Sequence, residues 1–330
     1  MLIRFFKSSY YSQYLLLLII AALLWLRIYF SSCPMLIPGK ESPLFSMLNA
    51  MIGAESLHAA LIGLVLLLLN AILLNFILVR HELLPKNSLI GALVFITLMS
   101  HSVTGLGLNP VLCATLFIIP AFDQMLKTYG KSDPSRQVFS AAMLLSVASL
   151  FYFPSAVLLI LLVFSFIIFG TFSFRVLLVA IVGVMAVYVY LFVYYFIMDN
   201  VEGQYCLYIE WFQVIPAFNM PAPGVQYMIW VVIIFVFATS LLYSLSHLNE
   251  WNISVRKKVL LNLWFIGLAA GTLVYTWDNF SMALLILAVP FTIVISAYFA
   301  NRKKISFIME VLYLLLLLLI IMNNTLLATC

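Results

Sequence analysis

Residues 58–79 read HAALIGLVLLLLNAILLNFILV, without one Asp, Glu, Lys or Arg, and Arg80 closes the run. A helix rises about 1.5 Å per residue and a bilayer core is about 30 Å thick, so a crossing takes about 20 apolar residues. This stretch is long enough to cross. Working outward from it, comparable runs occupy 14–30, 176–198, 226–245, 259–275, 281–299 and 305–322. Four shorter runs, 88–100, 110–122, 140–153 and 154–171, come as two pairs. The pattern predicts an all-α fold, a polytopic transmembrane helix bundle of about eleven membrane segments.

Composition supports the same class. The chain is 66% apolar and 8% charged with a mean hydropathy of +1.19, whereas soluble domains carry about 25% charged residues. Connections are mostly short, which leaves no room for a soluble module, so residues 1–330 are expected to form a single integral membrane domain. The net charge of +5 is no nucleic-acid signal, because the cations sit in clusters between apolar runs and encode topology.

With the N-terminus inside, the inner segments collect Arg4 and Lys7, Arg80 and Lys86, Lys127, Lys131 and Arg136, then Arg175, Arg256–Lys258 and Arg302–Lys304. Of the 16 basic residues, only Arg27 and Lys40 fall outside. The positive-inside rule thus predicts a cytoplasmic N-terminus and an outward C-terminus. That orientation survives if either short pair is a re-entrant hairpin. The start imitates a signal peptide, but Arg27 interrupts it and no A-x-A site follows, which predicts an uncleaved first span. Cys33, Cys113, Cys206 and Cys330 form no CxxC or Cys/His cluster, so no metal site is expected. Cys33 and Cys206 share the outer side, where a disulfide is chemically allowed.

Ionisable residues at membrane boundaries are the default candidates for function. Arg27 near the outer end of the first span either grips an anionic head group or snorkels. Residues 42–57 have apolar positions at helical spacing, predicting an amphipathic surface helix that delivers Glu55 and His58 to the mouth of the next span. Glu55 is the candidate catalytic base, with His58 three residues on as its partner; the alternative is a helix-start carboxylate and an interfacial imidazole. His101 sits in HSVTGLGLNP (101–110), a helix break expected to line a polar cavity together with Asn109. Asp278 is an acid in a short outer turn, either substrate-binding or a turn former. Asn70 and Asn75 are expected to hydrogen-bond between helices. No P-loop, HExxH or GxSxG occurs, which leaves any cofactor unknown.

The stretches NPVLC (109–113) and RQVFSAAMLLSVASLFYFPSA (136–156), with Lys127 between them, resemble an uncharacterised family of multi-pass inner-membrane proteins from Bacteroidota. More distantly, the same region resembles polyprenol-phosphate-dependent glycosyltransferases of the GT-C type. That resemblance implies a polyprenol-linked sugar as substrate, Glu55 (or Glu41) as catalytic acid or base, and Arg27 or His101 on the lipid-linked phosphate. A paired acid in the first outer loop and a soluble outer domain, both usual in that class, are missing here. The expectation is an enzyme acting on lipid-linked sugars at the outer leaflet. The alternative is a non-catalytic assembly component or a carrier of a neutral or lipidic molecule, with membrane lipids as partners in either case.

Overall fold

The computed structural model describes residues 2–8, 10–26, 42–53, 57–199, 224–275, 280–301 and 307–325. Arg27, Glu55, Asp278, Cys33 and Cys206 lie outside them. Among the described residues the fold is all-α, with thirteen α-helices. They are α1 (Leu2–Phe5), α2 (Tyr11–Leu24), α3 (Pro43–Ile52), α4 (Leu57–Arg80), α5 (Ile90–Met99) and α6 (Pro110–Leu126). After these come α7 (Ser135–Phe151), α8 (Leu159–Phe169), α9 (Phe174–Ile197), α10 (Gly224–Ser246), α11 (Ile253–Tyr275), α12 (Phe280–Asn301) and α13 (Phe307–Thr325). Five helices, α4, α9, α10, α12 and α13, have the length and composition to cross a membrane. With several shorter apolar helices beside them, they make this a multi-pass membrane protein.

Two expectations of a long span shift. The first predicted span begins earlier, with α2 at Tyr11, and its part over 27–30 lies outside the described residues. The predicted run at 259–275 begins earlier, because α11 takes Arg256, Lys257 and Lys258 into its first turns. The surface helix expected over 42–57 is α3, which stops at Ile52 on Gly53 with φ 73°.

The first short pair, α5 and α6, is surrounded mostly by protein rather than lipid. All ten residues of α5 are buried, which fits a helix that is apolar all round. At ten residues it is only about 15 Å long. The loop before it tucks into the bundle: Asn75 Nδ2 donates to the Ser88 carbonyl at 2.8 Å, more than a turn inside the end of α4. After the break, α6 returns beside α4, with Asn70 Nδ2 donating to the Leu112 carbonyl and to Thr115 Oγ1, each at 3.0 Å. Asn70 therefore bonds between helices, as expected, while Asn75 bonds to the loop before α5 instead. In the second pair, α7 packs against α6 and α9, and a 3₁₀ turn over Phe153–Leu158 leads into α8.

The central helix is α12, whose membrane-length window is 89% buried against 22% for α9 at the rim. It packs on α5, α6, α10 and α11. The break between α5 and α6 is recessed below the start of α4, where Gly63 faces the backbone of Gly107. A Cβ on Gly63 would lie 2.6 Å from the Gly107 carbonyl carbon. Nothing soft lies there to yield, so Gly63→Ala is expected to destabilise the protein by about 1–3 kcal/mol through overpacking. Gly267→Ala, where a Cβ meets nothing within 4 Å, serves as the silent control. Thermal unfolding of the two purified variants in detergent checks the contrast.

Candidate functional site

The two ends of the bundle differ in chemistry. At the basic end, His81 Nε2 lies 2.7 Å from Asp123 Oδ1, and Lys127, one turn along α6, pairs with the other oxygen of Asp123. Lys258 donates to the His81 carbonyl at 3.2 Å, and Lys257 lies over the Tyr129 ring. In the nearby loop, the hydroxyl and backbone amide of Ser135 hold Asp133 below the usual carboxylate range, helped by the charge of Arg175. These contacts tie the helix ends together.

At the far end a buried polar network closes around the α5–α6 break. Trp25 Nε1 donates to Ser100 Oγ at 3.0 Å. Asn324 Nδ2 donates to the carbonyls of Leu24 at 3.1 Å and Ser100 at 3.0 Å. Gln226 Nε2 reaches the His101 carbonyl at 3.2 Å, and Asn323 Nδ2 reaches Gln226 Oε1 at 3.0 Å. Asn109 caps α6 by accepting from Leu112 N at 2.7 Å, and its Nδ2 donates to the Gly105 carbonyl at 2.8 Å. Each bond meets a backbone or amide group that has no water to turn to.

His101 belongs to this network through its backbone, and its ring does something else. The ring is buried, with Nδ1 2.8 Å from the Leu98 carbonyl. A carbonyl only accepts, so Nδ1 carries the proton, and in the neutral ring the lone pair sits on Nε2. No described residue hydrogen-bonds Nε2. His101 lines a cavity of about 340 Å³ whose walls include Tyr227, Trp230, Leu273, Leu287 and Phe291. The walls are overwhelmingly apolar, so the expected polar cavity shared by His101 and Asn109 is not what forms. Asn109 spends both ends of its amide on the break, and the imidazole is left facing hydrocarbon.

A second cavity, of about 240 Å³, opens at the basic end between α10, α11 and α12. Its polar lining includes Glu82, Glu250, Asn252, Asn262 and Asn301, with Trp251 beside them. Asn262 is buried, its Nδ2 donating to the Pro290 carbonyl at 3.1 Å. Its Oδ1 is an acceptor that no described residue meets. Glu82 adopts a left-handed backbone at φ 62° and faces the charge of Lys258.

A family model described as a family of unknown function, DUF6427, matches residues 40–328. The chain belongs to DUF6427. No curated protein and no solved structure matches it. The resemblance to an uncharacterised membrane family therefore holds at that level, and none of these comparisons leads to glycosyltransferases.

Of the residues singled out in this DUF6427 chain, His101 is at a cavity and His58 stands exposed on the first turn of α4. Arg27, Glu55 and Asp278 lie outside the described residues. Among the described residues no group of three His, Cys, Asp or Glu is placed to hold a metal. The pair His81–Asp123 and the residues Gln226, Asn262, Asn323 and Asn324 escaped the reading of the sequence. A usable signal existed for one of them: Asp123 interrupts an apolar helix four residues before Lys127, the spacing of a helical ion pair. Replacing Asn324 with leucine removes the partner of two buried carbonyls, at about 1–3 kcal/mol for each group left unmet. A marked fall in the unfolding temperature of the purified variant is the expected result, and an unchanged temperature would show that the network carries no stability.

Proposed function

We propose that this DUF6427 protein binds a lipid whose head group is uncharged and hydroxylated, acting as a carrier or assembly component in the bacterial inner membrane. The observation that carries the reading is the lone acceptor of His101 on an apolar wall. A ligand that satisfies it must bring a hydrogen-bond donor into a place that otherwise favours hydrocarbon, and a hydroxyl on a lipid does both. The cavity is partly open beside the exposed Tyr227 and Ile234, so an acyl or prenyl chain leaves through that side into the bilayer. The basic end is assigned to the cytoplasm by the positive-inside rule, which turns the His101 cavity toward the outer leaflet.

The rival reading is a GT-C-like enzyme using a polyprenol-phosphate sugar, with Glu55 as base and Arg27 and His101 on the phosphate. The same cavity supports it as a berth for the prenyl chain, and the resemblance of the 109–156 region supplies the chemistry.

The deciding experiment uses the full chain in phosphatidylcholine nanodiscs with a diazirine-bearing glucosyl-diacylglycerol. An unmet buried group costs about 1.4 kcal/mol or more, so His101→Leu is expected to cut labelling about tenfold. His101→Gln, which keeps an acceptor, retains part of it. Equal labelling of wild type and His101→Leu would sink the binding proposal. Under the rival, wild type transfers glucose from polyprenyl-phosphoglucose and Glu55→Gln stops that transfer at normal protein levels. Under the binding proposal, wild type transfers none.

A further inference from the structure

The two cavities share three walls. On α12 the lining residues Leu284, Leu287, Phe291, Val294, Ala297 and Asn301 recur at three- and four-residue spacing, which is one face of one helix. The first three face the His101 cavity and the last three face the other. On α11 the same holds for Val255, Val259 and Asn262 at the basic end and Leu273 at the far end, with intervals of four, three and eleven residues. On α10, Tyr227, Trp230 and Ile234 line one cavity and Ser244 the other, again on a single stripe.

Between the two linings the stripe carries an aromatic stack. Phe237 of α10 stacks on Phe291 of α12 with ring centroids 3.8 Å apart and planes 11° apart. Along α12 the two linings are one step apart, from Phe291 to Ile293 and Val294, about 3–5 Å, whereas along α10 (Ile234 to Ser244) and α11 (Asn262 to Leu273) the gaps are about 15–17 Å. Asn262 stands just on the basic side of this stack, bonded to the carbonyl of Pro290, with its Oδ1 acceptor unmet.

We infer that the two cavities are the ends of one groove through which a lipid with an uncharged, polyhydroxylated head group passes between leaflets, and that the Phe237–Phe291 stack is its barrier. The inference rests on the binding proposal and adds a second station to it. Each end holds one buried acceptor that no described residue meets, His101 Nε2 at one and Asn262 Oδ1 at the other. The basic-end cavity adds the carboxylates of Glu82 and Glu250, the amides of Asn252 and Asn301, and the indole of Trp251. Carboxylates and amides bind hydroxyls by hydrogen bonds, and an indole face covers the C–H side of a sugar ring. Such a head group crosses bare hydrocarbon slowly because its hydroxyls lose their partners there. A groove with acceptors at both ends lowers that barrier, while the chains stay in lipid beside the exposed flank of α10. Movement is down the lipid's own gradient and requires no coupled ion or nucleotide.

The test is a dithionite-quenching assay on phosphatidylcholine vesicles holding the full chain and a trace of NBD-labelled glucosyl-diacylglycerol. Empty vesicles lose the outer half of the signal; vesicles with the protein are expected to lose nearly all of it. Phe237→Ala is expected to speed the second phase severalfold. Glu250→Leu, which removes the acceptor at the exposed mouth without disturbing packing, and Asn262→Ala are each expected to slow it severalfold. NBD-labelled phosphatidylglycerol, whose head group is charged, is expected to stay protected. If the glucosyl lipid stays protected while His101-dependent labelling persists, the groove is not a route and only the binding proposal stands. If both lipids equilibrate equally, the protein merely disorders the bilayer and the inference fails.

Discussion

The absence of water inside a bilayer governs this structure more than any single contact. Backbone groups at that depth have only protein to bond to, and an unmet one costs several times what an ordinary hydrogen bond contributes. The chain nevertheless breaks its helix after Met99 and resumes it only at Pro110. That is tolerable because the freed groups are met by side chains from distant elements: Asn109 from the loop itself, Gln226 from α10 and Asn324 from α13. The short helix, the recessed loop and the placing of His101 all follow from that arrangement.

The basic end solves a different problem. There the helix ends border water and charge is affordable, so ion pairs and cation contacts tie elements together. The Asp123 carboxylate serves both His81 and Lys127, and being hydrogen-bonded by both offsets the loss of solvent. The two ends thus differ in what holds them: amides and carbonyls where solvent is excluded, charges where it is near. The cavities inherit the difference, one lined by hydrocarbon and aromatic rings, the other by carboxylates and amides.

The helical class and the long segments were legible because apolar length against bilayer thickness is nearly sufficient to define a span. The break at 101–110 was legible from Gly105, Gly107 and Pro110. Asn70 and Asn75 announced themselves as polar residues in an apolar run. The network was less readable. Asn323 and Asn324 look like a polar tail, yet α13 runs to Thr325, and nothing local tells an asparagine that will cap a distant carbonyl from one that will face water. Gln226 is hidden the same way at the start of a span. Asn262 sits in an apolar helix where its amide signals interhelical bonding, but that it meets the Pro290 carbonyl depends on how α11 packs on α12. Site chemistry was least legible, since a cavity is a property of three helices together.

The bond between Asn324 and Ser100 spans 224 residues of chain, and that has a meaning for biogenesis. Ribosomes add about 5–20 residues per second, so the wait between the two is roughly 10–45 s. Through that interval α5 and its broken end must stand in or beside the membrane with the Ser100 carbonyl still lacking its final donor. The lifetime of that half-built state far exceeds the microseconds a helix needs to form. The helix α13 therefore acts as a closing bolt for the break, and the nascent bundle depends on the insertion machinery, or on transient water, to shelter the gap until it arrives.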